Sequence, residues 1–258
     1  NPESNLATEI LSSDGKTLGK FYNENRTPVK YEDLAQNLVD AVVATEDRRF
    51  YEHSGIDMRG TARAVAFLGS KGGASTITQQ LAKLLFSDTP SSKFERVLQK
   101  VKEWIIATRL ESQYTKEEII TMYLNKQDFL FQAVGIRSAS KIYFDKEPID
   151  LRPEESAIIA GMLKNPRQYN PYREISKDKS LERRNTVLAL MAETGKITEA
   201  ERDSLIAMPM EIKFSPEGHA DGIATYFREY LRAFMSDWIK ENPKGFDADG
   251  NEEYYNIY

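Results

Sequence analysis

From Tyr31 onward, residues suited to burial return every three or four positions, at Leu34, Leu38, Ala41, Val42 and Thr45. An α-helix turns once in 3.6 residues, so this spacing gathers them on one face that must be covered by another helix. The same period predicts helices over 75–86, 93–114, 116–124, 153–163, 181–193 and 220–240. Thr115-Lys116-Glu117-Glu118 and Thr198-Glu199-Ala200-Glu201 read as helix starts, each with a threonine ahead of acidic residues in the first turn. Before Tyr31 the pattern differs. Short extended stretches around Glu9-Ile10-Leu11 and Leu18–Tyr22 flank Asp14-Gly15, which reads as a β-hairpin. The expected fold class is therefore mainly α with a small N-terminal β-hairpin. Its segments are an N-terminal hairpin over 1–30, a principal helical domain over 31–212 and a tail over 213–258. With 258 residues, 40% of them apolar, the chain can bury a sizeable core.

Charge and composition narrow the chemistry. Thirty-five basic and 40 acidic residues give a net charge of -5, so no nucleic-acid partner is expected and any phosphate recognition must be local. The chain has no cysteine, which excludes disulfides, thiolate zinc sites and cysteine nucleophiles. Its two histidines, His53 and His219, cannot build a histidine-rich metal site. Catalysis is left to carboxylates, lysines, arginines and amides. No stretch approaches the roughly 20 apolar residues that cross a bilayer.

Two segments concentrate such residues. Glu46-Asp47-Arg48-Arg49-Phe50-Tyr51-Glu52-His53-Ser54-Gly55 crowds charges, aromatics and a histidine at a predicted helix end, beside a glycine that permits a sharp turn. Taken singly, a residue like Glu46 is more often a solvated carboxylate, and one like His53 more often a structural hydrogen-bonder. Gly72-Gly73-Ala74-Ser75-Thr76-Ile77-Thr78-Gln79-Gln80-Leu81-Ala82-Lys83 leads two glycines into a helix N-terminus, where free amides attract anions and two glutamines offer amides. A plain capped glycine loop would look the same.

Together these segments resemble the first two signatures of the family 51 glycosyltransferases, the peptidoglycan glycosyltransferase domains of class A penicillin-binding proteins. Three more signatures follow in order. Lys100-Val101-Lys102-Glu103 resembles the Arg-Lys-x-x-Glu motif, Lys116 to Asn125 the Lys-x-x-Ile-x-x-x-Tyr-Leu-Asn motif, and Arg183-Arg184-Asn185-Thr186-Val187-Leu188 the Arg-Arg-x-x-Val-Leu motif. Two places depart from the pattern. Gln99 replaces the usual arginine of the third motif, with Arg96 one helical turn away to substitute, and Lys126–Phe131 replaces a Tyr-Phe-Gly-type stretch.

The resemblance implies a lysozyme-like, two-lobed glycosyltransferase, with a larger head and a smaller jaw that meets the membrane. It implies polymerisation of lipid II onto a growing glycan chain, giving β-1,4-linked strands and undecaprenyl pyrophosphate, on the outer face of a bacterial cytoplasmic membrane. Moenomycin, a phosphoglycolipid, is the family's inhibitor. Inversion at the sugar carbon needs one in-line displacement with one general base, and the resemblance assigns Glu46 that role, with Glu103 as the second catalytic carboxylate. Substrate contacts are implied for Asp47, Phe50, His53, Ser75, Thr76, Gln79, Gln80, Lys83, Arg96, Lys100, Arg109, Asn125 and Arg184. A divalent cation, Mg2+ or Mn2+, would bridge Asp47 or Glu103 and the phosphates, with no organic cofactor. By spacing, Arg96, Lys100 and Glu103 share one helix face, while Val97, Leu98, Val101, Trp104 and Ile105 pack elsewhere. Phe67, Leu68, Leu84, Leu85, Phe86 and Phe94 are expected to flank the donor site at the lipid surface. His219–Glu229 resembles the linker into a transpeptidase domain, and both that domain and a membrane anchor are expected outside this chain. Lys-Thr-Gly is absent, so acyl transfer is not expected here. The alternatives are a lysozyme-like hydrolase of the same polymer and a catalytically silent scaffold.

Overall fold

The computed structural model describes residues 8–11, 13, 15, 17–21, 28–66, 75–86, 93–131, 133–215, 225–246 and 252–253. Two strands open the chain, β1 (Thr8–Leu11) and β2 (Thr17–Phe21), paired antiparallel with Thr8 opposite Phe21. Helices follow: α1 (Gln36–Glu46), α2 (Met58–Ala66), α3 (Ile77–Phe86), α4 (Lys93–Gln113), α5 (Lys116–Lys126), α6 (Ile136–Phe144), α7 (Pro153–Met162), α8 (Glu174–Glu193), α9 (Glu199–Ala207) and α10 (Thr225–Glu241). A two-residue strand pair, β3 (Gly245–Phe246) and β4 (Glu252–Glu253), comes last. The fold is mainly α.

Contacts divide the chain into two compact units. One is 28–215; the other comprises 1–27 together with 216–258, so the N- and C-terminal segments, separate in the sequence reading, belong to one unit. Within that unit α10 packs against β2.

In the larger unit α7 is the central helix, packed on α1 and α8, while α3 packs on α4 and α5. From Glu154 to Met162 every residue of α7 is buried. Ala157, Ile158, Ile159, Ala160 and Gly161 make it apolar all round, the composition of a helix with no solvent face. A Cβ at Gly161 would sit 3.0 Å from Arg183 Cγ, so the glycine permits the close approach of α8. Leu38, Val42, Ile159, Leu188, Ile77, Leu81, Ile120 and Tyr123 belong to one continuous core.

The helix starts follow the predicted chemistry. Thr115 Oγ1 accepts the Glu118 N–H at 3.2 Å while Glu118 accepts the Thr115 N–H at 2.8 Å, and Thr198 with Glu201 repeats this reciprocal cap at α9. α2 and α6 are not among the helices the periodicity predicts. Seven of the nine residues of α6 are buried, Ser138 and Ser140 among them, so polar residues on its inner face blur the period. The loops 69–73 and 87–92, and with them Phe67 and Leu68, lie outside the described residues.

Buried charge at the start of α7 is matched. Lys146 Nζ donates to both oxygens of Glu155 at 2.8 Å, and Arg152 pairs with Glu154 and Glu155. Burial pushes the Glu155 carboxyl up, but bonds from Lys146 and the Arg152 backbone outweigh it and hold the pKa below the ordinary 4.5. A lowered folded-state pKa gives stability that is complete above the unfolded value and is lost as pH falls through the folded one. Glu155→Gln is expected to lower unfolding free energy by about 1–3 kcal/mol near pH 7. The gap to wild type should narrow below pH 4.5. Urea midpoints measured across that range check this.

Candidate active site

α1 stops at Glu46 because Asp47, at φ -157°, leaves the helical region. Its carboxylate is buried and faces His53 Nε2, with distances of 3.1 and 3.0 Å to the two oxygens. It also accepts the Ile77 N–H, at the first turn of α3, at 3.0 Å. A carboxylate there meets the positive end of the helix dipole. The Gly55 N–H lies 3.2 Å from His53 Nδ1, which makes that nitrogen the acceptor and leaves Nε2 to donate to Asp47. Gly55 O then accepts from Thr76 Oγ1 at 2.7 Å and Gln79 Nε2 at 3.3 Å.

Lys116 locks the same loop from the other side. Its Nζ donates to His53 O at 2.7 Å and to Glu111 at 2.8 Å, and sits 4.5 Å from the centroid of the Phe50 ring. Thr78 Oγ1 donates to the same Glu111 oxygen at 2.6 Å. Phe50 has no exposed surface.

Beside this knot lies a cleft of about 500 Å3 between α3 and α4. Ser75, Gln79, Gln80 and Lys83 line one wall, and Arg96, Gln99, Lys100 and Glu103 the other. Residues 96, 100 and 103 of a helix fall within one third of a turn of each other, so the spacing places them together. Lys100 Nζ donates to Glu103 at 2.9 Å and to Ser75 Oγ at 3.0 Å. Glu103 is only 5% exposed, so its charge depends on that partner. Gln79 Oε1 is buried with no hydrogen-bond partner among the described residues. Glu46 joins through Gln80, whose Nε2 donates to Glu46 Oε2 at 3.0 Å. Lys83, Arg96 and Lys100 thus make a local cationic site in a chain of net charge -5, suited to a diphosphate.

A family model described as "Transglycosylase" matches residues 14–192, more than half of the chain. The chain belongs to the transglycosylase family. Among curated relatives, Penicillin-binding protein 1A of Vibrio cholerae is 40% identical over 234 residues, covering 88% of this chain and 27% of that protein. Penicillin-binding protein 1A of Escherichia coli is 34% identical over 258 residues, covering 98% and 29%. Penicillin-binding protein 1F of Bacillus subtilis is 41% identical over 199 residues, covering 76% and 27%. The chain therefore spans little more than a quarter of the length of these relatives.

Several residues expected to touch substrate are bonded within the protein or lie off the cleft. Asp47, Phe50, His53 and Thr76 build the knot that fixes the loop to α3. Asn125 clasps the Val29 backbone, donating to its carbonyl at 2.9 Å and accepting its N–H at 3.0 Å. Arg184 is 1% exposed and caps the end of α9, donating to Ile206 O at 3.0 Å and Met208 O at 2.9 Å. Arg109 is exposed and does not line the cleft, because nine residues from Lys100 is half a turn. Gln99, noted only as a departure, lines the cleft beside Arg96. Glu111 carries no sequence signal beyond an ordinary helix position, whereas Tyr123 stands at the tyrosine of the Lys-x-x-Ile-x-x-x-Tyr-Leu-Asn motif without having been assigned a role. For the cation, Asp47 is already committed to His53 and Ile77, and Glu103 to Lys100. Among the described residues no three His, Cys, Asp or Glu groups cluster.

Val97, Leu98, Val101 and Ile105, expected to pack away from the charged face, are 46–62% exposed. Val97, Val101 and Ile105 are four residues apart and form a stripe along the helix that carries Arg96 and Lys100.

Gly55 tests the knot. It holds φ +89°, and a Cβ there would lie 2.8 Å from the Ala107 backbone. Gly55→Ala is expected to lower stability by about 1–3 kcal/mol, read as a fall in Tm.

Proposed function

We propose that this domain polymerises lipid II into β-1,4-linked glycan strands, and the observation that carries the reading is the cationic cleft beside Glu46 and Glu103. The donor is an α-linked sugar pyrophosphate and the product linkage is β, so one in-line displacement suffices. Glu46 takes the proton from the 4-hydroxyl of the acceptor GlcNAc as that oxygen bonds to C1 of the MurNAc at the reducing end of the growing chain. The bond from C1 to the phosphate oxygen breaks, and undecaprenyl pyrophosphate leaves with the electron pair. Lys83, Arg96 and Lys100 stabilise its negative charge, and Glu103 holds Lys100 in place for this. Gln79 Oε1 offers an acceptor to a sugar hydroxyl or amide N–H. A hydrolase of uncharged glycosidic bonds would gain nothing from the three cations.

The lipid tail of this substrate stays in a bilayer, so the cleft has to open at its surface. We assign that contact to Val97, Val101 and Ile105 of α4 with Leu84 and Phe86 of α3, all exposed. Among the described residues no helix is long and apolar enough to cross a membrane. The proposed location is the outer face of the bacterial cytoplasmic membrane, with a transpeptidase domain in the same polypeptide, in line with the likeness of 219–229 to a linker.

With lipid II in detergent, Glu46→Gln should reduce polymerisation at least ~100-fold, because the amide keeps the size of the side chain and cannot accept the proton. Glu103→Gln should lose turnover more than binding. Residual polymerisation near wild type in Glu46→Gln would remove Glu46 as the base. In vesicle flotation, a Val101→Ser, Ile105→Ser double variant should bind less than wild type, since each apolar Å² removed from water contributes roughly 25 cal/mol. Equal partitioning with unchanged circular dichroism would move the membrane contact to another surface.

A further inference from the structure

The hydrogen bond on Glu46 continues inward. Gln80 Oε1 accepts the Tyr123 hydroxyl at 3.0 Å, while Gln80 Nε2 donates to Glu46 Oε2 at 3.0 Å. Three helices are linked in this way, Glu46 ending α1, Gln80 on α3 and Tyr123 on α5. The direction of each bond is fixed by chemistry. An ionised carboxylate only accepts, so the NH2 side of the amide must face Glu46, its oxygen faces Tyr123, and the phenol must donate. Burial, and then the charge of Glu46, push the Tyr123 phenol well above its ordinary pKa of 10.0, so it keeps the hydrogen it donates.

We propose, on the reading of Glu46 as the base, that Tyr123 is a positioning residue for catalysis: its hydroxyl selects one orientation of the Gln80 amide, and that amide fixes the Glu46 carboxylate. Tyr123 has no exposed surface and belongs to the core, so the relay is anchored on a rigid point. Glu46 needs that anchor. It is the last residue of α1, is half-buried, and is followed by Asp47, where the helix is abandoned. A glutamate there has three side-chain torsions to fix, and a base misplaced by about 1 Å can lose much of its rate. With Oε2 held by Gln80, Oε1, which has no hydrogen-bond partner among the described residues, is left to take the proton. Tyr123 does not line the cleft and acts only through Gln80.

Removing the hydroxyl frees the amide to turn over and face Glu46 with its oxygen. Tyr123→Phe keeps the buried ring and should lower kcat on lipid II about tenfold or more, with KM and moenomycin affinity within about twofold, because the cations that bind phosphate are untouched. Gln80→Met should lower kcat at least as much, and the double variant should be no slower than Gln80→Met alone. Tyr123→Phe should add no loss in a Glu46→Gln background. Wild-type kcat in Tyr123→Phe overturns the inference, as do losses that multiply in the double variant, or moenomycin affinity falling in step with kcat. Should Tyr123→Phe fail to fold, a Gln80→Met variant with wild-type kcat overturns it as well. An active Glu46→Gln enzyme would remove the base assignment itself, whereas an inactive one beside a fully active Tyr123→Phe would remove only the positioning role.

Discussion

The buried carboxylate of Asp47 is the junction on which the site depends. It receives His53 from its own loop and the Ile77 N–H from the first turn of α3, so one side chain sets where α1 ends and where α3 begins. A buried carboxylate is tolerated only when its oxygens are matched, and here the match comes from two elements at once. Glu46, one residue earlier, and Gln80, one turn into α3, inherit their mutual placement from that junction. Lys116 then closes the loop against α5 by bonding His53 O.

The cleft shows how an acidic chain can present a cationic surface. Lys83, Arg96 and Lys100 converge from two helices, and the one carboxylate among the lining residues, Glu103, is largely shielded from water and bonded to Lys100. Partial burial reduces solvent screening, so a few charges act strongly at short range whatever the net charge of the chain. The same helix carries an exposed apolar stripe at Val97, Val101 and Ile105. A ligand with a diphosphate head and a hydrocarbon tail would find both chemistries along α4.

Much of this was legible in the sequence. The three-and-four spacing of Leu34, Leu38, Ala41 and Val42 marks α1, the Thr-x-x-Glu pairs mark the starts of α5 and α9, and the 96, 100, 103 spacing sets one wall of the cleft. Each is a local property, fixed by helix geometry and capping chemistry that operate within a few residues. α6 escaped because serines sit on its buried face, and the α4 stripe escaped because an apolar residue reads the same whether it faces a core or a surface.

What the sequence could not divide was the group of polar residues in its motifs. Asp47, His53, Asn125 and Arg184 looked as suited to substrate as Gln79, Lys83 or Lys100, since residue type tells only what a side chain can bond. Whether it meets Ile77, Val29 and Ile206 or an open cleft depends on contacts between residues 30, 96 and 22 positions apart. The sequence by itself therefore determined the helices, their caps and the chemical inventory of the site. Only the tertiary structure decided which charges are satisfied inside the protein and which line an open cleft, because hydrogen-bond satisfaction in a buried setting is a property of space and not of chain order.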